Sequence, residues 1–171
     1  MKRTISIVLL LVCVLAASAQ IQSNFLGFTL GETTKTQVYN HLRDTNIKFY
    51  QDEEGICCAE NVKFATIDWD YAKFTFFNDK LYKVEFSFLD DGKRIAKLTS
   101  VYNKLTELLP KKYWRYANGK TFGDKFMEFS DNVTTVTFLY SDFFFRKFQI
   151  KLDYTDISLL NAKKAFEASD L

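Results

Sequence analysis

Apolar positions recur along this chain in two rhythms, one helical and one extended. Val38, Leu42 and Tyr39 share a helical face, with Thr34 as N-cap, Gln37 as its capping-box partner and Gly31 permitting a sharp entry. This predicts a short helix ending near Asn46. Ile95, Leu98, Val101 with Tyr102, Leu105, and Leu108 with Leu109 predict a second helix from about Lys93 to Leu109. Pro110 is expected to end it. Leu159, Leu160, Ala162, Lys163 and Phe166 predict a closing helix over residues 157–169.

Between the helices the pattern alternates. Ala65, Ile67, Trp69 and Tyr71 fall on one face of an extended segment. Asn78-Asp79 separates Phe74–Phe77 from Leu81–Phe88 and reads as a hairpin turn. In the second arm Tyr82, Val84, Phe86 and Phe88 face one way, and Lys83, Glu85 and Ser87 the other. Lys125–Phe129, a Ser130-Asp131-Asn132 turn and Val133–Tyr140 form a second hairpin. In a last strand Phe144, Arg146, Phe148, Ile150, Leu152 and Tyr154 alternate with Phe145, Lys147, Gln149, Lys151 and Asp153. Hairpins with one polar face imply an antiparallel sheet covered on one side. The predicted class is α+β, with helices packed on one face of that sheet.

The chain also repeats itself. Val38-Tyr39-Asn40-His41-Leu42 returns as Val101-Tyr102-Asn103-Lys104-Leu105. Residues 74–88 align without gaps on residues 126–140, matching Phe74, Phe77, Asp79, Val84 and Phe86 to Phe126, Phe129, Asp131, Val136 and Phe138. We therefore expect a duplicated αβββ unit, with approximate repeats 25–89 and 92–154, followed by the closing helix.

The first residues change the picture of where this protein acts. Lys2 and Arg3 precede an apolar run from Ile5 to Leu15, and Ala17-Ser18-Ala19 offers small residues for cleavage. Residues 1–19 read as a signal peptide, leaving residues 20–171 as one exported domain, periplasmic or extracellular. The run is shorter than the about 20 residues of a spanning helix. Lipidation at Cys13 competes with simple cleavage, but Val12 is a poor residue to precede a lipidated cysteine. No transmembrane segment is expected after cleavage.

The signal also carries off two cations. The full chain has 23 basic and 21 acidic residues, and loss of Lys2 and Arg3 leaves 21 basic residues. A neutral balance gives no reason to expect nucleic acid as a partner. Aromatics make up 17% of the chain while Gly and Pro number 6 and 1, which is the composition of a packed domain rather than a disordered one. Cys57 and Cys58 are read as small apolar residues opening a strand, with a vicinal or intermolecular disulfide as the alternative in an oxidising compartment.

Two resemblances follow from these residues. Phe25-Leu26-Gly27-Phe28-Thr29-Leu30-Gly31, then Thr33-Thr34 and Gln37-Val38, is similar to the opening of many small secreted proteins of Bacteroidota, and Phe76 to Val84 has the same character. A Gly-containing turn into a short helix, a hairpin and a second copy resembles, in architecture, the tandem modules of β-lactamase-inhibitor-protein-like folds. The resemblances imply periplasmic or surface binding roles and supply no catalytic residue.

Candidate chemistry is sparse. His41 is the single histidine, and Lys104 takes its place in the repeat, so it reads as a polar helix-edge residue rather than a general base. Asp68 and Asp70 flank Trp69 at a strand spacing that sets two carboxylates about 7 Å apart, within the range of paired glycosidase acids. The competing reading is a polar outer strand face with Trp69 pointing into the core, and a hydrolase ranks third, behind a protein- or peptide-binding role and a carbohydrate- or small-ligand-binding one. Asp52-Glu53-Glu54 before Gly55 reads as a solvated turn without the spacing of a calcium loop. Lys93, Arg94, Lys97, Lys104, Lys111 and Lys112 line the wet side of the second helix. Asn132-Val133-Thr134 fits the N-glycosylation pattern. Phe143-Phe144-Phe145 places two aromatics opposite a core Phe144, and Trp114 lies near Tyr113 and Tyr116. No cofactor or metal is expected. The leading expectation is a non-enzymatic protein that binds a protein or peptide through an aromatic-rich sheet face or edge, using Trp69, Trp114, Phe143 and Phe145. A carbohydrate- or small-ligand-binding module is the alternative.

Overall fold

The computed structural model describes residues 21–90, 92–117, 125–143 and 147–169, and of Asp142, Phe143 and Lys147 it describes the backbone. A two-stranded ribbon, β1 (Asn24–Phe25) and β2 (Phe28–Thr29), leads into helix α1 (Lys35–Asp44). Strands β3 (Phe49–Gln51), β4 (Cys57–Phe64), β5 (Ile67–Phe77) and β6 (Lys80–Asp90) follow, then helix α2 (Ile95–Tyr113) and a short 3-10 turn (Trp114–Tyr116). Strands β7 (Phe126–Ser130), β8 (Thr134–Phe143) and β9 (Lys147–Asp156) precede helix α3 (Ile157–Ser169). All seven strands from β3 to β9 join one antiparallel sheet in the order β3-β4-β5-β6-β9-β8-β7. The fold is α+β, with the helices on one side of that sheet.

The order explains how the halves meet. β3 to β6 form one meander and β7 to β9 another, and among the described residues they are sewn together only where β6 pairs with β9. Counting outward from this seam, β5 corresponds to β8 and β4 to β7. The gapless sequence match instead aligns β5–β6 with β7–β8. It therefore joins two similar hairpins that hold different places in the sheet.

One face of the sheet is the floor of the core. Cys57, Phe74, Val84, Tyr154, Val136 and Phe129 lie side by side across it, and Ala59, Ala72, Phe86, Leu152, Phe138 and Met127 form the next row. Onto these rows α1 lowers Val38 and Leu42, and α2 lowers Leu98, Val101, Leu105, Leu109 and Tyr113. At the centre Phe86 stacks on Phe64 at 4.3 Å and meets Trp69 at 5.7 Å.

Local chemistry sets the element ends. Thr34 accepts the Gln37 N–H and Gln37 closes the capping box on the Thr34 N–H, as the sequence predicts. Asn78 and Asp79 take φ of 48° and 61° in a two-residue turn, the left-handed geometry that the right-handed twist of a hairpin requires. Gly31 has φ +79°, and a Cβ there would sit 2.8 Å from Asp156 Oδ2. That carboxylate caps α3 through the Leu159 N–H, so this glycine lets the two ends of the chain pack together.

Four expectations need correction. Pro110 does not end α2, which runs on to Tyr113. A proline removes one helical hydrogen bond, and burial of Tyr113 against Phe129 at 5.8 Å compensates for its loss. Ala65 is not a strand residue. Ala65 and Thr66 make the β4–β5 turn with φ of 51° and 61°, pinned by Lys104, which donates to both Thr66 oxygens. Tyr71 leaves the Ile67–Trp69 face, because alternation slips between Trp69 and Ala72. Tyr82 also leaves the Val84 face. A bulge pairs Thr75 with Lys83 but Phe76 with Leu81, so Leu81 enters the main core and Tyr82 is buried outside it.

Phe86→Ala should cost ~3–5 kcal/mol of unfolding free energy, because it opens a cavity where aromatics from three strands converge. Phe166→Ala, on an α3 without a single buried residue, should cost less than about 1 kcal/mol. Urea unfolding of both variants checks the contrast. Equal losses would contradict this assignment of the core.

Candidate functional site

The opposite face of the sheet bears the densest chemistry in the molecule. The register lays Tyr50, Cys58, Lys73, Glu85, Asp153, Thr137 and Glu128 in one line across all seven strands. The neighbouring line runs Glu60, Tyr71, Ser87, Lys151, Leu139 and Phe126. The seam puts Glu85 directly opposite Asp153, two like charges where cross-strand neighbours approach to about 5 Å. Two lysines make this tolerable. Lys83 Nζ reaches Asp153 Oδ2 at 2.9 Å and Glu85 Oε2 at 3.5 Å, and Lys151 Nζ reaches Glu85 Oε1 at 3.3 Å. Ser87 donates to Glu85 Oε1 at 3.1 Å.

The two acids respond differently to this arrangement. Their side chains keep only 12% and 19% exposure for Glu85 and Asp153. Burial opposes ionisation of Glu85, but the charges of Lys151 and Lys83 and its hydrogen bonds outweigh it, so its carboxyl stays below the ordinary range. Burial opposes ionisation of Asp153 as well, and here repulsion from Glu85 adds to it, so its carboxyl is raised despite Lys83. Asp153 Oδ1 is buried without a hydrogen-bond donor. This separation of neighbouring carboxyls is the physical signature of a tuned pair. The alternating Lys83, Glu85, Ser87 and Lys151, Asp153 mark the polar face in the sequence. That they stand opposite each other depends on β6 pairing with β9, and no local pattern specifies that.

Tyr50 and Tyr71 frame this face toward the β3 edge, where Tyr50 is 46% exposed. Beside them the 52–56 turn is built by Asp52, which accepts the Ile56 N–H at 2.9 Å and the Glu54 N–H at 3.1 Å and pairs with Lys73 at 3.5 Å. The Ile56 hydrogen bond is the main reason its carboxyl is held low. Asp52 is therefore committed to its own turn.

The residues named from sequence fall in scattered places. Trp69 is 1% exposed, with its Nε1–H donating to Phe64 O at 3.2 Å, so its indole builds the core and offers no contact area. Trp114 is 66% exposed beside β7, with the Arg115 guanidinium 5.2 Å from its ring. It sits at the sheet edge away from Tyr50. Phe143 closes β8, its backbone opposite that of Lys147, the first residue of β9. Phe144 and Phe145 lie outside the described residues, as do residues 1–19, for which a signal segment is expected from the sequence.

The acid pair Asp68 and Asp70 is split. Asp68 is exposed opposite Lys63, whereas Asp70 accepts two hydrogen bonds from Arg94, at 2.9 and 2.8 Å, and the Leu89 N–H at 2.8 Å. Burial works against Asp70, but Arg94 and Leu89 prevail and hold its carboxyl low. It is a structural clamp where β5 and β6 part, over a depression of about 280 Å³. The α2 cations are spent in the same way. Arg94 lies over Phe88, Lys104 on Thr66, Lys111 on Glu107 and Lys112 on Gln22. His41 packs edge-on against Phe28 at 4.9 Å. Cys57 and Cys58 open β4 as expected and face opposite sides of it, both free and buried. Burial pushes the Cys57 thiol up to about 12. Among the described residues no cluster fit to hold a metal ion occurs, and no helix is long and apolar enough to cross a membrane.

No protein family matches this chain, and no curated protein or solved structure shows significant similarity to it.

The tuned pair makes a signed prediction. Glu85, held low when folded, stabilises the protein above its unfolded pKa and loses that contribution as pH falls through its folded pKa. Asp153, held high, favours folding only in acid, and its ionisation subtracts from stability near neutrality. Glu85→Gln should therefore cost ~1–2 kcal/mol near neutral pH, with the loss shrinking in acid. Asp153→Asn, which leaves Lys83 its Glu85 partner, should cost nothing beyond ~0.5 kcal/mol. Chemical denaturation across pH reads both, and a larger loss for Asp153→Asn would reverse the assignment.

Proposed function

We propose that this is an exported, non-enzymatic protein that binds a protein or peptide through the sheet face its helices leave open. The observation that carries the reading is the row from Tyr50 to Asp153 on that face. Its charges are already held by flanking residues, Lys73 by Asp52, Glu85 by Lys83 and Lys151, and Asp153 by Lys83, so a partner meets a preorganised surface and ordering costs little on binding. Tyr50 and Tyr71 supply amphipathic contact area beside it, of the kind that dominates interface energetics. These tyrosines take the place that Trp69 was expected to hold. The signal-like residues 1–19 and the resemblance to secreted Bacteroidota proteins support export to the periplasm or the exterior. The pairing of Glu85, Asp153 and Asp70 with lysine or arginine favours binding over hydrolysis, since each carboxylate is already engaged by a cation.

Crosslinking capture from the envelope fraction of its own cells tests this, with wild type beside Tyr50→Ala/Tyr71→Ala and Trp114→Ala. The expected result is one dominant partner, whose recovery falls about tenfold or more in the tyrosine double variant while far-UV circular dichroism is unchanged. A partner lost only in Trp114→Ala would move the contact to the β7 edge. No partner at all would overturn the reading.

A further inference from the structure

A recess of about 330 Å³ opens where α3, the start of α1 and the 52–56 turn converge at one end of the sheet. Its volume lies at the small end of ligand pockets. Three features give it a chemistry. Its lining includes an apolar part, made by Ile56, Phe76 and the buried Tyr82. Lys35 from α1 and Lys163 from α3 stand on its walls, two cations brought together from residues far apart in the chain. Glu54, exposed on the turn, is the one acid among the lining residues. Two ammonium groups against one carboxylate leave a single excess positive charge among the lining residues, with Glu167 outside the lining as the present partner of Lys163.

The elements carrying the lysines are fixed independently of any ligand. The Lys35 N–H donates to Asp79 O at 3.2 Å, and Asp156 caps α3. Lys163 pairs with Glu167 one turn along the same helix, where both side chains remain in solvent. An exposed pair of this kind is weak, so a competing anion can take its place. α3 itself buries no side chain and leaves Phe166 58% exposed. Its packing alone gives little reason for its position over Tyr82.

We propose that this recess binds a small monocarboxylate with an apolar body. The carboxylate lies between Lys35 and Lys163, and the hydrocarbon rests on Ile56, Phe76 and Tyr82. A single negative charge that takes the place of Glu167 on Lys163 matches the excess charge of the lining, whereas a dianion such as a phosphate monoester would be repelled by both Glu54 and Glu167. This site is separate from the open-face contact and does not depend on it, since Tyr50, Tyr71, Glu85 and Asp153 are not among its lining.

The test uses the protein as its own cells process it, titrated with N-acetylphenylalanine and with the corresponding amide, by calorimetry and by chemical-shift mapping. The acid should bind at one site with Kd below about 1 mM, and the amide about tenfold more weakly or worse. Lys163→Gln and Lys35→Gln should each weaken the acid by about tenfold while leaving the melting temperature unchanged. Phe166→Ala, on α3 but outside the recess lining, should leave affinity as it was and so controls for general disturbance of the helix. A short alanine peptide ending in free phenylalanine carries the same group. Whichever of it and the free acid binds more tightly identifies the source of the natural ligand. Equal binding of acid and amide, unaltered affinity in both lysine variants, or no saturable binding would each overturn the proposal.

Discussion

The pairing of β6 with β9 is the constraint on which the rest of the molecule depends. Among the described residues it is the only strand contact between the two meanders. On one face it joins Val84 to Tyr154, Phe86 to Leu152 and Phe88 to Ile150, completing the apolar rows on which α1 and α2 pack. On the other it sets Glu85 against Asp153 and Ser87 against Lys151. Because strand residues alternate in a period of two, both sets are fixed together. A slip of one residue along this seam would drive the acids into the core and the aromatics into water.

The charged face follows from this geometry at a definite cost. Two acids directly opposed would repel if left alone, and Lys83 bridges both of them. The bridge satisfies Glu85 more fully than Asp153, whose Oδ1 stays buried without a donor. The same division of labour recurs elsewhere. Asp70 is consumed by Arg94, Asp52 by its own turn, and Lys104 by Thr66. Most conspicuous charges of the sequence thus turn out to be fastenings between elements. What remains for contact with other molecules is the paired face itself, the tyrosines beside it and the recess under α3.

Much of the fold was legible because short-range chemistry dictated it. The Thr34–Gln37 capping box, the Asn78-Asp79 turn and the alternation of β9 need only their neighbours, and each formed as read. The misreadings share one cause, namely tertiary contacts that override local preference. Burial of Tyr113 carries α2 past Pro110. The slip before Ala72 and the bulge at Tyr82 reset the alternation of β5 and β6. Ala65 and Thr66 accept a conformation that their side chains disfavour, held by a lysine on a distant helix. The site was less legible than the fold. Trp69 resembles a binding residue by type, yet its strand phase buries it. Glu85 and Asp153 lie far apart in sequence, and only the seam makes them neighbours.

The most direct test of the account is photocrosslinking in the protein's own cells, with benzoylphenylalanine placed at position 71 or at position 114. Tyr71 lies on the open face, and Trp114 lies exposed beside β7, outside it. Crosslinks to one defined partner from position 71 and none from position 114 are the predicted result. Crosslinks from position 114 alone would contradict the claim that the face opposite the helices is the working surface.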